Sequence, residues 1–245
     1  MLRLIATLLG TTLMVLGAIA CSSPAPQPAE DGVPRTAGSP AGSGDIGASV
    51  GDILDLPAPR TLGSASLEET LAARRSAREF SDEPLTLEQI SQLLWSAQGI
   101  TVDWGGRTAP SAGALYPLEV YVVTADGSFH YLPDGHRLRV MSRGDLRAPL
   151  AEAALDQSAV SEAPAVFVIT AVYARTAGKY GDRAERYVHL EAGHACQNLL
   201  LQAVALGLGA VPIGAFSDAE VQSVLGLPAD QEPLYLIPVG HPVPE

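Results

Sequence analysis

The stretch from Lys179 to Leu206 constrains the fold more than any other part of the chain. It holds no proline, is rich in leucine and alanine in its second half, and reads as one helix of roughly seven turns. Gly207 is a suitable stop, because glycine accepts the left-handed conformation that closes a helix. From Leu199 to Leu206 the stretch is almost wholly apolar, which places it in the middle of a domain where neighbours cover every side. Its first half differs. Tyr187, Glu191, His194 and Asn198 recur at helical spacing and carry a polar stripe into an otherwise dry core. Buried polar groups need partners, here other side chains, water or a bound cofactor.

The two ends of the 245-residue chain divide it into parts. Residues 1–20 have a basic start at Arg3, an uncharged run from Leu4 to Ala20, and small residues before Cys21. This is the layout of a secretory signal peptide. A cysteine at that point resembles the bacterial lipoprotein box and implies lipidation of Cys21, hence an extracytoplasmic protein anchored to a bacterial membrane. The apolar run is slightly short for a membrane span, and no basic stop follows it. Residues 21–52, rich in Pro, Gly, Ser and Ala without apolar periodicity, read as a disordered tether. One domain remains over residues 53–245, ample for a core. Cys21 and Cys196 are the two cysteines. With Cys21 taken by lipid no disulfide is available, and Cys196 on an apolar helix reads as inert packing. A net charge of −12 argues against nucleic acid or an anionic bilayer as the surface recognised.

Against that acidic background the cluster Arg74, Arg75, Ser76 and Arg78 stands out. It follows a helix opened by the capping box of Ser66 and Glu69 and running to about Arg75. Guanidinium forks and a hydroxyl match a phosphate; alternatively, cations there answer the helix macrodipole. Thr86 and Gln89 open a second helix that Gly99 ends. In Pro110, Ser111, Ala112 and Gly113, small residues allow a flat ligand to approach the backbone, or make an ordinary turn. Residues 118–124 and 128–132 read as strands joined at Asp126-Gly127. A helix over 145–155 and a β-branched central strand over 163–173 precede the long helix. After it come a short strand at 209–216 ending in a glycine turn, a helix capped by Ser217 and Glu220, and a last strand over 234–239. Without regular βαβ alternation, the expected class is α+β, a mainly antiparallel sheet packed with helices. The chain lacks a dinucleotide-binding glycine fingerprint, a phosphate loop ending in Gly-Lys-Ser/Thr, and His-Glu-x-x-His. His189 and His194, five apart, face different sides, so no metal site is expected.

Six stretches in order carry a resemblance: RRSAREF at 74–80, APSAGALYPLEVYVV at 109–123, KYGDRAERY at 179–187, EAGHACQN at 191–198, LGLGAVPIGAF at 206–216 and PLYLIPVGHP at 233–242. Together they resemble the nitroreductase family of flavin enzymes, in its SagB-type dehydrogenase branch. The resemblance implies a nitroreductase-like α+β fold binding FMN as a homodimer, with the flavin at the subunit interface. It assigns Arg74, Ser76 and Arg78 to phosphate and flavin contacts, with Arg75 a neighbour, and Pro110, Ser111 and Ala112 to the stretch supplied across the dimer. Gly214 and Ala215 match the turn whose amides approach flavin N5, and Gln157 the pyrimidine side. Many family members add basic residues from a C-terminal extension, so here the arginines at 74–78 would carry more of the phosphate binding. Lys179-Tyr180 matches the Lys-Tyr motif of azoline dehydrogenases acting on ribosomal peptides, in which a lysine with a lowered pKa can serve as base; alternatively the pair merely packs. Outside the cytoplasmic membrane NAD(P)H is scarce, so the expected direction is oxidation of a small-molecule or peptide substrate, with electrons passed to oxygen or a quinone. The alternatives are an NAD(P)H-dependent nitro or quinone reductase and a non-catalytic flavin-binding surface protein.

Overall fold

The computed structural model describes residues 48–243. The expected signal at 1–20, Cys21 and nearly all of the expected tether at 21–52 lie outside the described residues. Seven strands form one sheet: β1 (Ile53–Asp55), β2 (Leu118–Thr124), β3 (Gly127–Leu132), β4 (Arg137–Arg143), β5 (Ala165–Ala171), β6 (Gly209–Ala210) and β7 (Glu232–Gly240). Their order is β1-β4-β3-β2-β5-β7-β6, and every neighbouring pair is antiparallel, as the sequence predicts. Helices α1 (Leu67–Ala73), α2 (Leu87–Gln98), α3 (Arg147–Ala153), α4 (Ser158–Glu162), α5 (Tyr173–Tyr180), α6 (Ala184–Ala205) and α7 (Asp218–Leu225) complete the domain.

β5 is buried at all of its positions because both faces of the sheet are covered. Phe167, Ile169 and Ala171 join one core with Val120 and Val122 of β2, Leu93 and Leu94 of α2, and Val188, Leu199 and Ala203 of α6. The alternate residues Val166 and Val168 join a second core with Tyr121, Leu150 of α3, Val160 of α4 and Val221 of α7. Period-two alternation sends neighbouring side chains to opposite faces. A strand apolar at every position therefore requires helices on both sides.

The long helix is shorter than its sequence suggests. Gly181, at φ 52, breaks the chain, and residues 181–183 form a single tight turn before α6. Lys179 and Tyr180 therefore close α5 instead of opening α6. The 22 residues of α6 span about 33 Å, and Gly207 adopts the expected left-handed φ of 72 just beyond it. The second half of α6 is not enclosed on every side. Leu199, Leu200 and Ala203 are buried, whereas Leu201, Val204 and Ala205 stay half-covered. Leu67 and Leu71 on α1 are also exposed, and a groove lined by Leu67, Leu201 and Ala205 separates the two helices.

The capping boxes at Ser66 and Thr86 are both made. Ser217 precedes α7 without making a side-chain cap bond. Strands β1 and β4 escaped the sequence reading, because the arginines of β4 mask its alternation. The Gly51 amide donates to the Val140 carbonyl, and the Val140 amide donates to that of Asp52. Thr86→Ala should cost about 1 kcal/mol in denaturant unfolding, while Ser217→Ala should stay within about 0.5 kcal/mol of the parent.

Candidate functional site

The site residues named from sequence fall into two clusters. The first gathers on the β6 edge. α1 stops at Ala73, and the chain turns extended at Arg74, so none of the three arginines lies inside the helix, and Arg75 alone answers its C-terminal carbonyls. Ser76 instead forms a parallel bridge with Ala210, and the Ala77 amide donates to the Ala210 carbonyl at 3.1 Å. Arg75 turns its guanidinium back onto the carbonyls of Ala72 and Arg74. Arg74 and Arg78 make no ion pair or side-chain hydrogen bond among the described residues. Four residues after Ala210, Gly214 and Ala215 are exposed. Even a fully extended chain keeps Gly214 within about 14 Å of Ala210. Gln157 donates from Nε2 to the carbonyls of Ala154, at 2.8 Å, and Ala215, at 3.0 Å. The amide is thereby fixed, with its oxygen left to accept.

The second cluster lies where the chain enters β2 and leaves β5. Leu118 faces Ala171 there, and Ala171 faces Glu232 of β7. Ser76 is bridged instead to Ala210, which pairs with Val239. Glu232 and Val239 are seven residues apart on one strand, roughly 23 Å. In one chain the two clusters therefore anchor at opposite ends of the sheet.

The second cluster is built on backbone under strain. Gly113, Ala114 and Tyr116 all have positive φ, at 64, 54 and 46, a region costly for the two non-glycine residues. Several contacts hold them there. Ser111 accepts the Tyr116 amide on its hydroxyl at 2.9 Å and the Ala114 amide on its carbonyl at 3.1 Å. The Arg107 guanidinium lies 4.5 Å above the Tyr116 ring and donates to Gln98 Oε1 at 2.8 Å. Arg175 donates to the Tyr116 carbonyl at 3.1 Å and pairs with Glu119. Burial would raise the Glu119 carboxyl, but His130, at 2.7 Å, and Arg175 overrule it and hold it below the usual range.

This segment touches Lys179 and Tyr180. A Cβ at Gly113 would sit 2.9 Å from Lys179 Nζ and 2.9 Å from Tyr180 Oη. Tyr180 packs edge-on against Tyr187 at 5.0 Å. Lys179 is the one lysine in the chain, and its side chain is exposed. His194, expected in the polar stripe, is also exposed, whereas Glu191 is buried.

Glu191 is the feature the sequence reading noticed without assigning to the site. Burial pushes its carboxyl up to about 7, against the pull of the Ser111 side chain and the Arg107 charge. Burial likewise lowers the Arg107 guanidinium. Arg107 was passed over because nothing in a glycine-rich loop marks an arginine that folds inward.

A profile of the family described as "Nitroreductase family" matches residues 71–241. A protein of Methanocaldococcus jannaschii described as a nitroreductase is 42% identical over 200 residues, covering 79% of this chain and all of the relative. The NADPH-flavin oxidoreductase of Vibrio harveyi is 30% identical over 182 residues, and the match spans 71% of this chain but 65% of that protein. A crystal structure described as a nitroreductase from Ralstonia eutropha superposes with a TM-score of 0.71 at 32% identity, covering 79% of this chain and 90% of the other. The chain belongs to the nitroreductase family of flavin-dependent oxidoreductases, whose cofactor is FMN.

Two outcomes follow from this geometry. Gly113→Ala places a side chain at positive φ and against Lys179 and Tyr180, so stability should fall by about 1 kcal/mol. The near-ultraviolet circular dichroism of the Tyr180–Tyr187 pair should change with it. Because the folded state raises the Glu191 pKa from 4.5 to about 7, it holds a proton that the unfolded chain releases between those values. That contribution is complete below pH 4.5 and declines up to pH 7, a loss of about 3 kcal/mol. Denaturation curves of Glu191→Gln should lack this decline.

Proposed function

We propose that this chain is an FMN-dependent oxidoreductase of the SagB-type dehydrogenase kind, working as a homodimer in which each site joins the β6-edge cluster of one copy to the Lys179 cluster of the other. The observation that carries the reading is the contact of Gly113 with Lys179 Nζ and Tyr180 Oη on a segment held in strained backbone. Strain kept by converging contacts is a feature of functional sites.

The first cluster fits FMN. Arg74 and Arg78, without a carboxylate partner among the described residues, lie two positions either side of Ser76, a donor set suited to a phosphate. Arg75 adds charge beside them. Gly214 has no heavy atom near the place of a Cβ, so its backbone is open to a planar ring, as is that of Ala215. The Gln157 oxygen is free to accept from the edge of a pyrimidine ring. Pro110, Ser111 and Ala112 would come from the second copy. The sheet-length separation of the clusters supports this division, as do the exposed Leu67 and Leu71 on α1 and the half-covered Leu201 and Val204 on α6.

When bound, FMN supplies a two-electron acceptor for hydride. The chain's own residues supply the proton path and the alignment. Lys179 Nζ takes the proton from the carbon beside the one oxidised, and Tyr180 Oη, which like Lys179 Nζ lies 2.9 Å from where a Cβ at Gly113 would stand, orients the substrate or the amine. The substrate is a small molecule or a peptide, and electrons leave to oxygen or a quinone. Lipid attachment at Cys21 would place the enzyme outside the cytoplasmic membrane, where NAD(P)H is scarce.

A second reading, an NADPH-dependent flavin reductase, is favoured by the name of the Vibrio harveyi relative. Anaerobic stopped-flow mixing separates the two: flavin bleached by NADPH within catalytic times sinks the dehydrogenase reading. Arg74→Ala with Arg78→Ala should remove the flavin absorbance bands and weaken FMN binding at least about 100-fold, two charge-assisted contacts being lost. Lys179→Ala should keep the bands and lose substrate-linked reduction. A colourless parent protein that ignores added FMN would rule out both readings.

A further inference from the structure

Glu191, about two turns into α6, has 3% of its surface exposed, yet no acidic or basic residue of α6 shares its environment. Its neighbours come from the segment that leads into β2. Arg107 acts on it by charge from the start of that segment and Ser111 by its side chain from the middle. Three buried polar atoms on these linked side chains have no hydrogen-bond partner: Glu191 Oε1, Arg107 Nε and Gln98 Nε2. Arg107 and Ser111 are also two of the three residues that hold Tyr116 at positive φ, one by stacking and one by accepting its amide, the third being Arg175. Glu191 thus faces two supports of the strained segment at once, Ser111 through its side chain and Arg107 through its charge.

We propose that Glu191 is the positioning residue of the Lys179–Tyr180 site, clamping residues 107–116 to α6 through Arg107 and Ser111 when ionised and loosening them when protonated. The physical basis is a competition. Ser111 and Arg107 favour the carboxylate, and burial disfavours it, so neither form dominates near neutral pH. The ionised form attracts the guanidinium and accepts from the hydroxyl; the protonated form keeps only a neutral hydrogen bond, roughly half as strong. Because Gly113 lies two residues beyond Ser111 and against Lys179 Nζ and Tyr180 Oη, a change in the clamp moves the surface those groups rest on. The other charged groups nearby do not compete for this role. Glu119 and Arg175 act on Arg107 and are paired with each other. His130 is paired with Glu119, and Lys179 is exposed. The effect is one of position: Glu191 touches neither Lys179 nor Tyr180 among the contacts described.

The role of Glu191 extends the reading of Lys179-Tyr180 as the substrate site, but its test does not depend on turnover. Lys179 being the sole lysine, amine acetylation of the full chain followed by peptide mass spectrometry reports on it apart from the N-terminus. After division by the rate of a free lysine side chain at the same pH, the Lys179 rate should change about threefold between pH 6 and pH 8, a coupling modest for residues sharing one network. In Glu191→Gln it should be flat. The Gly113 amide signal in nuclear magnetic resonance should move with a midpoint near 7 in the parent, the value burial gives the carboxyl, and not in the variant. Melting curves establish that the variant is folded; should it not fold, the Gly113 midpoint in the parent decides alone. A parent without the midpoint, or a variant that keeps it, overturns the proposal. Were flavin binding absent while both pH responses held, the oxidoreductase reading would fail and the clamp would stand.

Discussion

The structure depends on β5 being covered on both faces. A seven-residue strand with no exposed position can be hydrated nowhere, so α2 and α6 close one side and α3, α4 and α7 the other. Burial of its valines, phenylalanine and isoleucine is worth on the order of 1.5–3 kcal/mol each, which makes the strand the least replaceable element. β2 and β7 flank it, and both candidate clusters hang from the ends of these three strands. The rigidity of the centre is what allows the backbone at Ala114 and Tyr116 to be held at positive φ.

Charge is deployed unevenly over this frame. In a chain with net charge −12, Arg74 and Arg78 stand without acidic partners among the described residues on the β6 edge, whereas the half-buried Arg107 and the exposed Arg175 brace one loop. Arg147 is paired with Asp145. Unpaired cations at a sheet edge suit an anionic ligand; paired or stacked ones fix geometry. Family membership then says which ligand class the chemistry serves.

Much of the fold was legible from local pattern. The capping boxes, the Asp126-Gly127 turn, the apolar run of β5 and Gly207 each carry their cause within a few residues, so they could be read in place. β4 was missed because its solvent-facing arginines hide the alternation, and the helix break at Gly181 because a glycine inside a helical run is often tolerated. Site residues fared in the same way. Arg74, Ser76 and Arg78 were conspicuous by type, and Ser111 by its small neighbours. Nothing local marks Arg107 as inward-facing, since its partners Gln98, Tyr116 and Glu191 come from separate parts of the chain.

By itself the sequence determined the class of fold, the two-sided burial of the central strand and the residue types that suit a flavin phosphate, because each follows from composition and period over short windows. Tertiary structure alone decided that Ser76 lies beside Ala210, that Gln157 is locked to Ala215, and that Gly113 rests on Lys179 and Tyr180. It also gave Glu191 its raised pKa. Those facts depend on contacts between residues tens of positions apart, where desolvation and charge act through space and leave no trace in local order.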